Sequence, residues 1–215
     1  MEKGFEITYN WVKKLLNDCD FSDCSKRLGL KQASESSVLI NFFDRTYKIS
    51  HNNIELIEQK TIWTVNSEAY EFDLKSILGY YVLSEANVEP VYEFCTFEQF
   101  SGGVFRENLS PIESNKLRDI FNYDYKNFEK VMKLFNMEYE NGNRDGKYLW
   151  NYAILPKIPV KFIFYEGDDE FPSKMQILYD KNTIKIFKFE QLAVLHISII
   201  QTILSIGKIN SNGRL

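Results

Sequence analysis

The chain has 215 residues, of which 44% are hydrophobic and 15% aromatic, and its formal net charge is -4. This apolar content is enough for a buried core, which excludes an intrinsically disordered chain. The negative charge disfavours nucleic-acid binding, because a basic face is needed to displace counterions from phosphates. We predict a single domain over residues 1–215, with a helical amino-terminal appendage over 1–30 and a core over 36–207.

Three cysteines and an amino terminus without an apolar secretion segment predict a reducing, cytoplasmic setting. Cys19 and Cys24 form a C-x4-C pair, but no second pair or nearby histidine completes the tetrahedral ligand set of zinc. We therefore expect both to be helix-face residues and Cys95 to be a small core hydrophobe. No membrane association is expected either, because the least polar stretch, residues 191–207, is short and contains several polar side chains.

The first third of the chain predicts two helices and then a β-meander. Apolar residues spaced by three and four from Phe5 to Cys19 predict the first helix, and Gly29 is a suitable residue to end the second. The polar residues 31–37 predict a loop. Strands are predicted after it, with tight turns at Asp44-Arg45 and Asn52-Asn53.

A third helix is predicted from Asp73 to about Ala86, with one apolar face turned to the core. The residues predicted to face inward are Leu74, Ile77, Leu78, Tyr81 and Val82. A short strand is predicted next, over residues 91–97. Two helices then follow, the first over about 110–123 and the second from Asp124.

The last third predicts a turn cluster over residues 141–146, four strands and a final helix. The continuous apolar run over 160–165 predicts a central strand, and the alternation over 183–189 predicts the last strand. The order of elements lacks a regular βαβ alternation. We therefore predict an α+β fold, in which a mainly antiparallel twisted sheet is packed by helices that include the amino- and carboxyl-terminal ones.

Three segments together resemble a bacterial and archaeal family known as domain of unknown function 3786. They are "SILGYYVLSEA", "TFEQFSGGVF" and "LPKIPVKFIFYEGDDEFPSKMQILYD". The resemblance extends from the first strand to the last helix and implies a shared fold and an anaerobic setting, with no assigned reaction. Some relatives resemble fusions with an iron–sulfur domain found beside corrinoid methyl-transfer proteins. This chain lacks the four-cysteine run that a cluster requires, but the resemblance still implies a link to corrinoid or one-carbon metabolism.

An acidic stretch in the third segment is one candidate site. Asp168, Asp169 and Glu170 offer the oxygen ligands that Mg²⁺, Mn²⁺ and Ca²⁺ take, and Asp180 could join them if the flanking strands pair. Adjacent carboxylates usually point apart, however, so the stretch is also consistent with a solvated loop. In that alternative, Asp168 or Asp169 caps backbone N–H groups and Phe171 anchors the loop in the core.

Paired glycines and a set of aromatic residues give two further candidates. Gly102 and Gly103 would let a ligand approach the backbone, and Arg106 could meet a carboxylate or phosphate; the alternative is a bulge or turn. A pocket for a planar ligand could be lined by aromatic residues, with Asp168 or Arg106 at its rim. The aromatic candidates are Tyr81, Phe97, Phe100 and Trp150, and each could instead be a core residue.

Two functions remain open from the sequence. No nucleophile and base are arranged as a catalytic set, which favours a non-catalytic domain that binds a small molecule or a partner protein. The alternative is a hydrolase that depends on Mg²⁺, Mn²⁺ or Ca²⁺ and uses the acidic stretch. No motif identifies a cofactor or an oligomeric state.

Overall fold

The computed structural model describes residues 3–100, 120–121, 125–144, 146–167, 170–171 and 173–211. Its helices are α1 (Gly4–Leu15), α2 (Phe21–Leu28), α3 (Tyr70–Leu83), α4 (Phe97–Phe100), α5 (Tyr125–Leu134), α6 (Thr183–Ile186) and α7 (Phe189–Ser211). Its strands are β1 (Lys31–Ser34), β2 (Ser37–Phe42), β3 (Arg45–Ser50), β4 (Asn53–Gln59), β5 (Phe94–Thr96), β6 (Glu138–Arg144), β7 (Lys147–Leu155), β8 (Ile158–Tyr165) and β9 (Lys174–Asp180).

The predicted α+β fold with antiparallel strands is confirmed, and the strands divide between two sheets. The first sheet has the order β1-β2-β3-β4 and the second has the order β5-β9-β8-β7-β6. The helix predicted over residues 110–123 falls largely outside the described residues.

The first sheet is the predicted meander, with one extra strand. Its hairpin turns lie at Phe43-Asp44 and His51-Asn52, one residue earlier than predicted, because Phe42 pairs with Arg45 and Ser50 with Asn53. Phe43 and Asn52 both have a left-handed backbone, which is typical of two-residue hairpin turns. The loop predicted over 31–37 was wrong: residues 31–34 form the edge strand β1, whose exposed polar side chains suit an edge while its backbone bonds to β2.

The two amino-terminal helices dock on the rest of the protein. The Asp20 side chain caps α2 by accepting the N–H groups of Ser22 and Asp23, and α2 ends at Gly29 in the left-handed conformation, as predicted. Helix α1 crosses α3 at Gly79, where an added Cβ would overlap a Val12 methyl group and touch Ile54. The missing side chain therefore sets the close approach of α1 to α3.

We expect Gly79→Ala to lower the free energy of unfolding by about 1–2 kcal/mol, because overpacking outweighs the better helix propensity of alanine. Adding Val12→Ala should recover part of this loss, since it removes the overlapping methyl groups. Urea denaturation of the single and double variants measures both effects. Gly4→Ala is the control, because nothing lies within 4 Å of that position; equal stability of Gly79→Ala and the parent chain would contradict the close approach.

Helix α3 begins at Tyr70, about one turn before the predicted Asp73, and its predicted inward face is confirmed. All five residues predicted to face the core are buried.

Helix α7 is long and apolar enough to cross a membrane, but 61% of its most apolar 18-residue stretch is buried inside the protein. It packs against α3 and α5, which is the core packing predicted for this stretch.

Strand β8 lies at the centre of the second sheet, as predicted. The buried face of this sheet contains one residue from each of three neighbouring strands: Trp150 of β7, Phe162 of β8 and Ile177 of β9.

The turn predicted over 141–146 was too long, because β6 continues to Arg144 and leaves Gly146, with φ of 71°, in the turn. The strand predicted over 183–189 was also wrong: residues 183–186 form α6, since alternation over so short a run also fits one helical turn.

An aromatic contact joins the two sheets. The Phe43 ring lies 4.5 Å from the Phe135 ring and is stacked 5.7 Å from the Tyr152 ring, centroid to centroid. The Tyr152 hydroxyl also donates a hydrogen bond of 3.5 Å to the Phe43 carbonyl. The tip of the β2–β3 hairpin is thereby fixed against strand β7.

Arg45 is a buried cation beside the same hairpin, with 3% of its surface exposed. It forms an ion pair with Glu71 and donates hydrogen bonds to Gln59 Oε1 at 3.2 Å and to the Trp63 carbonyl at 3.3 Å. Its guanidinium carbon lies 3.7 Å from the Trp63 ring centroid. This network ties the meander to the start of α3 and to the segment between them.

Candidate ligand-binding site

Helix α5 packs on one face of the second sheet, where Tyr125 and Phe128 contact Phe164, and the opposite face carries a polar cluster. Asn151 of β7 lies opposite Lys161 of β8 and also opposite Glu138 of β6. Because side chains alternate between the faces of a sheet, Glu140 points to this same face. Lys161 Nζ lies 2.7 Å from Glu140 Oε2, and Asn151 donates a hydrogen bond of 3.2 Å to the same oxygen.

The ion pair sets the protonation of the cluster. The hydrogen bond from Lys161, and to a smaller extent the one from Asn151, lowers the pKa of the Glu140 carboxyl below its ordinary value. The charged pair therefore persists at neutral pH. Its contribution is lost only as the pH falls through the depressed pKa.

A cavity of about 540 Å³ opens beside this cluster, within the size range of small-molecule sites. It is lined by Tyr92, Phe94, Asn136, Glu138, Asn151, Tyr152, Ala153, Pro159, Val160 and Lys161. The Lys161 ammonium lies 5.0 Å from the centroid of the Phe94 ring. The lining thus combines aromatic faces with amide, carboxylate and ammonium groups.

Tyr92 stands at this cavity in an unfavourable backbone conformation. Its φ is 56°, in the left-handed region, and 70% of its surface is exposed. Its N–H donates a hydrogen bond of 2.5 Å to Asp180 Oδ2, and the fully buried Asp180 also accepts the Asn182 N–H at 2.8 Å. Strain of this kind persists only where the surroundings hold it, and it clusters at ligand sites.

The predicted site residues lie in different places. Asp180 is fully buried and is not among the residues that line the cavity, but it accepts the Tyr92 N–H. Tyr81 is fully buried, and its hydroxyl donates to the Leu28 carbonyl at 3.1 Å and accepts the Lys157 N–H at 3.0 Å. Trp150 is buried on the opposite face of the sheet, beside Tyr139.

The two predicted phenylalanines lie three residues apart on α4, and neither lines the cavity. Phe97 is buried and stacks on His196, with 4.8 Å between ring centroids, and on Phe189. Phe100 is half-buried against the core. The structure therefore does not assemble the four aromatic candidates around the cavity described above.

The acidic stretch is described only in part. Glu170 is exposed, and Phe171 is 68% exposed, so the expectation that Phe171 anchors the loop in the core was wrong. Asp168, Asp169, Gly102, Gly103 and Arg106 lie outside the described residues. Within the described part of the chain, no three His, Cys, Asp or Glu side chains are grouped so that they could hold a metal ion. The metal-dependent hydrolase remains a prediction.

The cavity residues were missed by sequence reasoning, although one signal was available. Pro156 and Pro159 mark a sharp connection, and a hairpin centred there pairs Asn151 with Lys161. Lys161 is the one charged residue in the apolar run 160–165, and it therefore indicates a polar position on one face of the central strand. Nothing local indicates the left-handed backbone of Tyr92.

No curated protein and no solved structure matches the chain. A family model described as "Domain of unknown function (DUF3786)" matches residues 20–202, which include both sheets, helices α2 to α6 and every residue that lines the cavity. The chain therefore belongs to the DUF3786 family.

Proposed function

We propose that the protein is a non-catalytic binding domain that holds a small planar molecule in the cavity on the outer face of the second sheet. The observation that carries this proposal is the exposed Tyr92, held in a left-handed conformation by the buried carboxylate of Asp180 at the edge of that cavity. A large aromatic side chain gains little stability in this position. Its presentation to a ligand supplies a reason for the conformation.

The charges of the cavity favour a neutral or cationic ligand. The positive charge of Lys161 is already compensated by Glu140, and Glu138 adds a second carboxylate. A polyanion would face this excess of negative charge, whereas a ligand with N–H donors would meet carboxylate and amide oxygens. The side-chain amides of Asn136 and Asn151 offer both donors and acceptors.

The aromatic groups favour a planar ring. Tyr92 and Phe94 offer ring faces or edges, and aromatic pairs stabilise a complex beyond the area that they bury. A heteroaromatic ring with exocyclic amino groups combines both requirements. The proposal includes the predicted link to corrinoid or one-carbon metabolism in the cytoplasm. Pterins are planar compounds of that metabolism, and they are heteroaromatic rings of the kind just described.

Ligand-observed NMR with a panel of planar compounds tests the proposal. The panel contains nucleobases, nicotinamide and a pterin, with inorganic triphosphate as a polyanionic comparison. We expect at least one planar compound to bind, Tyr92→Ala to weaken that binding by about tenfold or more, and triphosphate not to bind. Phe171→Ala is the matched control, since Phe171 is similarly exposed, at 68%, and does not line the cavity. Absence of binding by every planar compound, or equal binding by Tyr92→Ala, would contradict the proposal.

Tyr92→Gly should separate binding from stability. Glycine adopts a positive φ without strain, so we expect the free energy of unfolding to stay level or rise by up to about 1 kcal/mol, while binding is lost. Urea denaturation measures the first effect and the NMR assay the second. Val91→Gly is the control, because Val91 does not have a positive φ and glycine there should lower stability. A clear stability loss in Tyr92→Gly would show that the tyrosine is retained for packing.

A further inference from the structure

Cys19 and Cys24 lie together where the chain enters α2. Cys19 directly precedes Asp20, the residue that caps this helix, and Cys24 lies one turn into it. The Cys24 N–H donates to the Asp20 carbonyl at 3.0 Å, so the first helical turn returns Cys24 to the side of Cys19. Side chains at these two positions of a helix start commonly pack against each other. The Cys24 thiol itself donates to the Phe21 carbonyl at 3.5 Å. Within the described residues both are free thiols.

The two thiols differ in exposure. Cys19 is half-buried and thus open to small reagents, whereas Cys24 is buried, with 1% of its surface exposed. An accessible cysteine next to a buried one is the arrangement of a peroxide-reactive thiol and its resolving partner.

The surroundings favour a thiolate on Cys19. The neighbouring Cys24 side chain lowers the pKa of the Cys19 thiol, burial raises it, and the Arg27 guanidinium lowers it, while Asp20 and Asp23 raise it. Contact with Cys19 and burial raise the pKa of Cys24. Of the two thiols, Cys19 therefore ionises more readily and is the nucleophile.

We propose that Cys19 and Cys24 form a reversible disulfide, with Cys19 as the peroxide-reactive thiol and Cys24 as the resolving thiol. The Cys19 thiolate attacks one oxygen of a hydroperoxide. The O–O bond breaks, and the leaving hydroxide takes a proton to become water. The Cys24 sulfur then attacks the resulting Cys19 sulfenic acid, the S–O bond breaks and a second water leaves. Two thiols and one hydrogen peroxide thus give one disulfide and two waters, and an external dithiol restores the pair by exchange.

Cys95 provides an internal comparison. It lies on strand β5, away from α2, and burial raises the pKa of its thiol. Neither a thiol partner nor a lowered pKa favours its oxidation. It should therefore remain alkylatable when the other two cysteines have reacted.

Mass spectrometry of the intact chain tests the proposal. The reduced protein is treated with hydrogen peroxide, denatured and alkylated without reductant. We expect the mass of two hydrogen atoms to be lost, one alkylatable thiol to remain of three, a Cys19–Cys24 link in the peptide map, and full reversal by dithiothreitol. Cys24→Ser should stop at a sulfenic acid on Cys19 that dimedone traps, Cys19→Ser should form no link, and Cys95→Ser should behave as the parent chain.

Three alkylatable thiols after peroxide treatment would overturn the proposal, as would a link that persists in Cys19→Ser or that includes Cys95. Because Cys24 is buried, Cys24→Ala replaces Cys24→Ser if the serine variant does not fold. The parent chain gives the deciding result without any substitution.

Discussion

Arg45→Ala should lower the free energy of unfolding by about 3 kcal/mol or more, because it removes a buried cation together with its ion pair and several buried hydrogen bonds. Without the guanidinium, the Trp63 carbonyl loses a donor and the Trp63 ring loses the cation above it. Glu71, whose side chain is 43% exposed, loses its ion-pair partner but can recover some hydration. Urea denaturation followed by tryptophan fluorescence measures the change.

Two variants show whether burial causes this effect. Lys181→Ala breaks an exposed ion pair with Glu93, and we expect a loss below about 1 kcal/mol. Arg45→Met fills much of the same volume without a charge, so its loss should be smaller than that of Arg45→Ala. Equal effects of Arg45→Ala and Lys181→Ala would show that the Arg45 network contributes little.

Phe43→Ala should cost about 3–4 kcal/mol of unfolding free energy, because a buried aromatic ring is removed from the contact between the two sheets. The left-handed backbone of Phe43, with φ of 52°, makes a second test possible. At an ordinary strand position glycine is less stable than alanine. Here glycine relieves a strain that alanine keeps, so Phe43→Gly should be about 1 kcal/mol more stable than Phe43→Ala.

The order of the two Phe43 variants is the informative result. If Phe43→Gly is the less stable one, the turn does not hold a strained backbone, even when both variants lose the packing contribution. Phe42→Ala and Phe42→Gly serve as the comparison pair, because Phe42 is a buried strand residue without a positive φ. There the usual order, with alanine more stable, is expected.

Elements with a repeated local pattern were predictable from the sequence. The apolar face of α3 recurs with the helical period, so its five inward residues were identified although its start was not. Gly29 was recognised as a helix end because few other residues adopt a left-handed backbone. The central position of β8 followed from an apolar run that needs cover on both sides.

Short or polar elements were not predictable, because tertiary contacts decide them. Strand β1 has four exposed residues and exists because β2 supplies its hydrogen-bond partners. Residues 183–186 alternate like a strand, yet Thr183 and Ile186 are buried on one helical turn. In both segments the local pattern was too short to distinguish the alternatives.

The candidate site depends on contacts between distant parts of the chain. Asp180 holds Tyr92 across 88 residues of sequence, and no local pattern connects a carboxylate at the end of one strand with a tyrosine before another. Asp180 was a candidate metal ligand in the sequence because the strand that ends with it follows the acidic stretch. Its burial under two backbone N–H groups explains the residue without a metal ion.

The hydroxyl group of Tyr81 joins three parts of the chain that are far apart in sequence. It binds the last carbonyl of α2, it belongs to α3, and it accepts the Lys157 N–H from the turn between β7 and β8. Local opening of any one part would leave a buried polar group without its partner, at a cost of about 1–3 kcal/mol. Helix α2, which carries Cys24, and the β7–β8 hairpin, which lines part of the cavity, are therefore expected to open as one foldon, with a common rate of amide exchange.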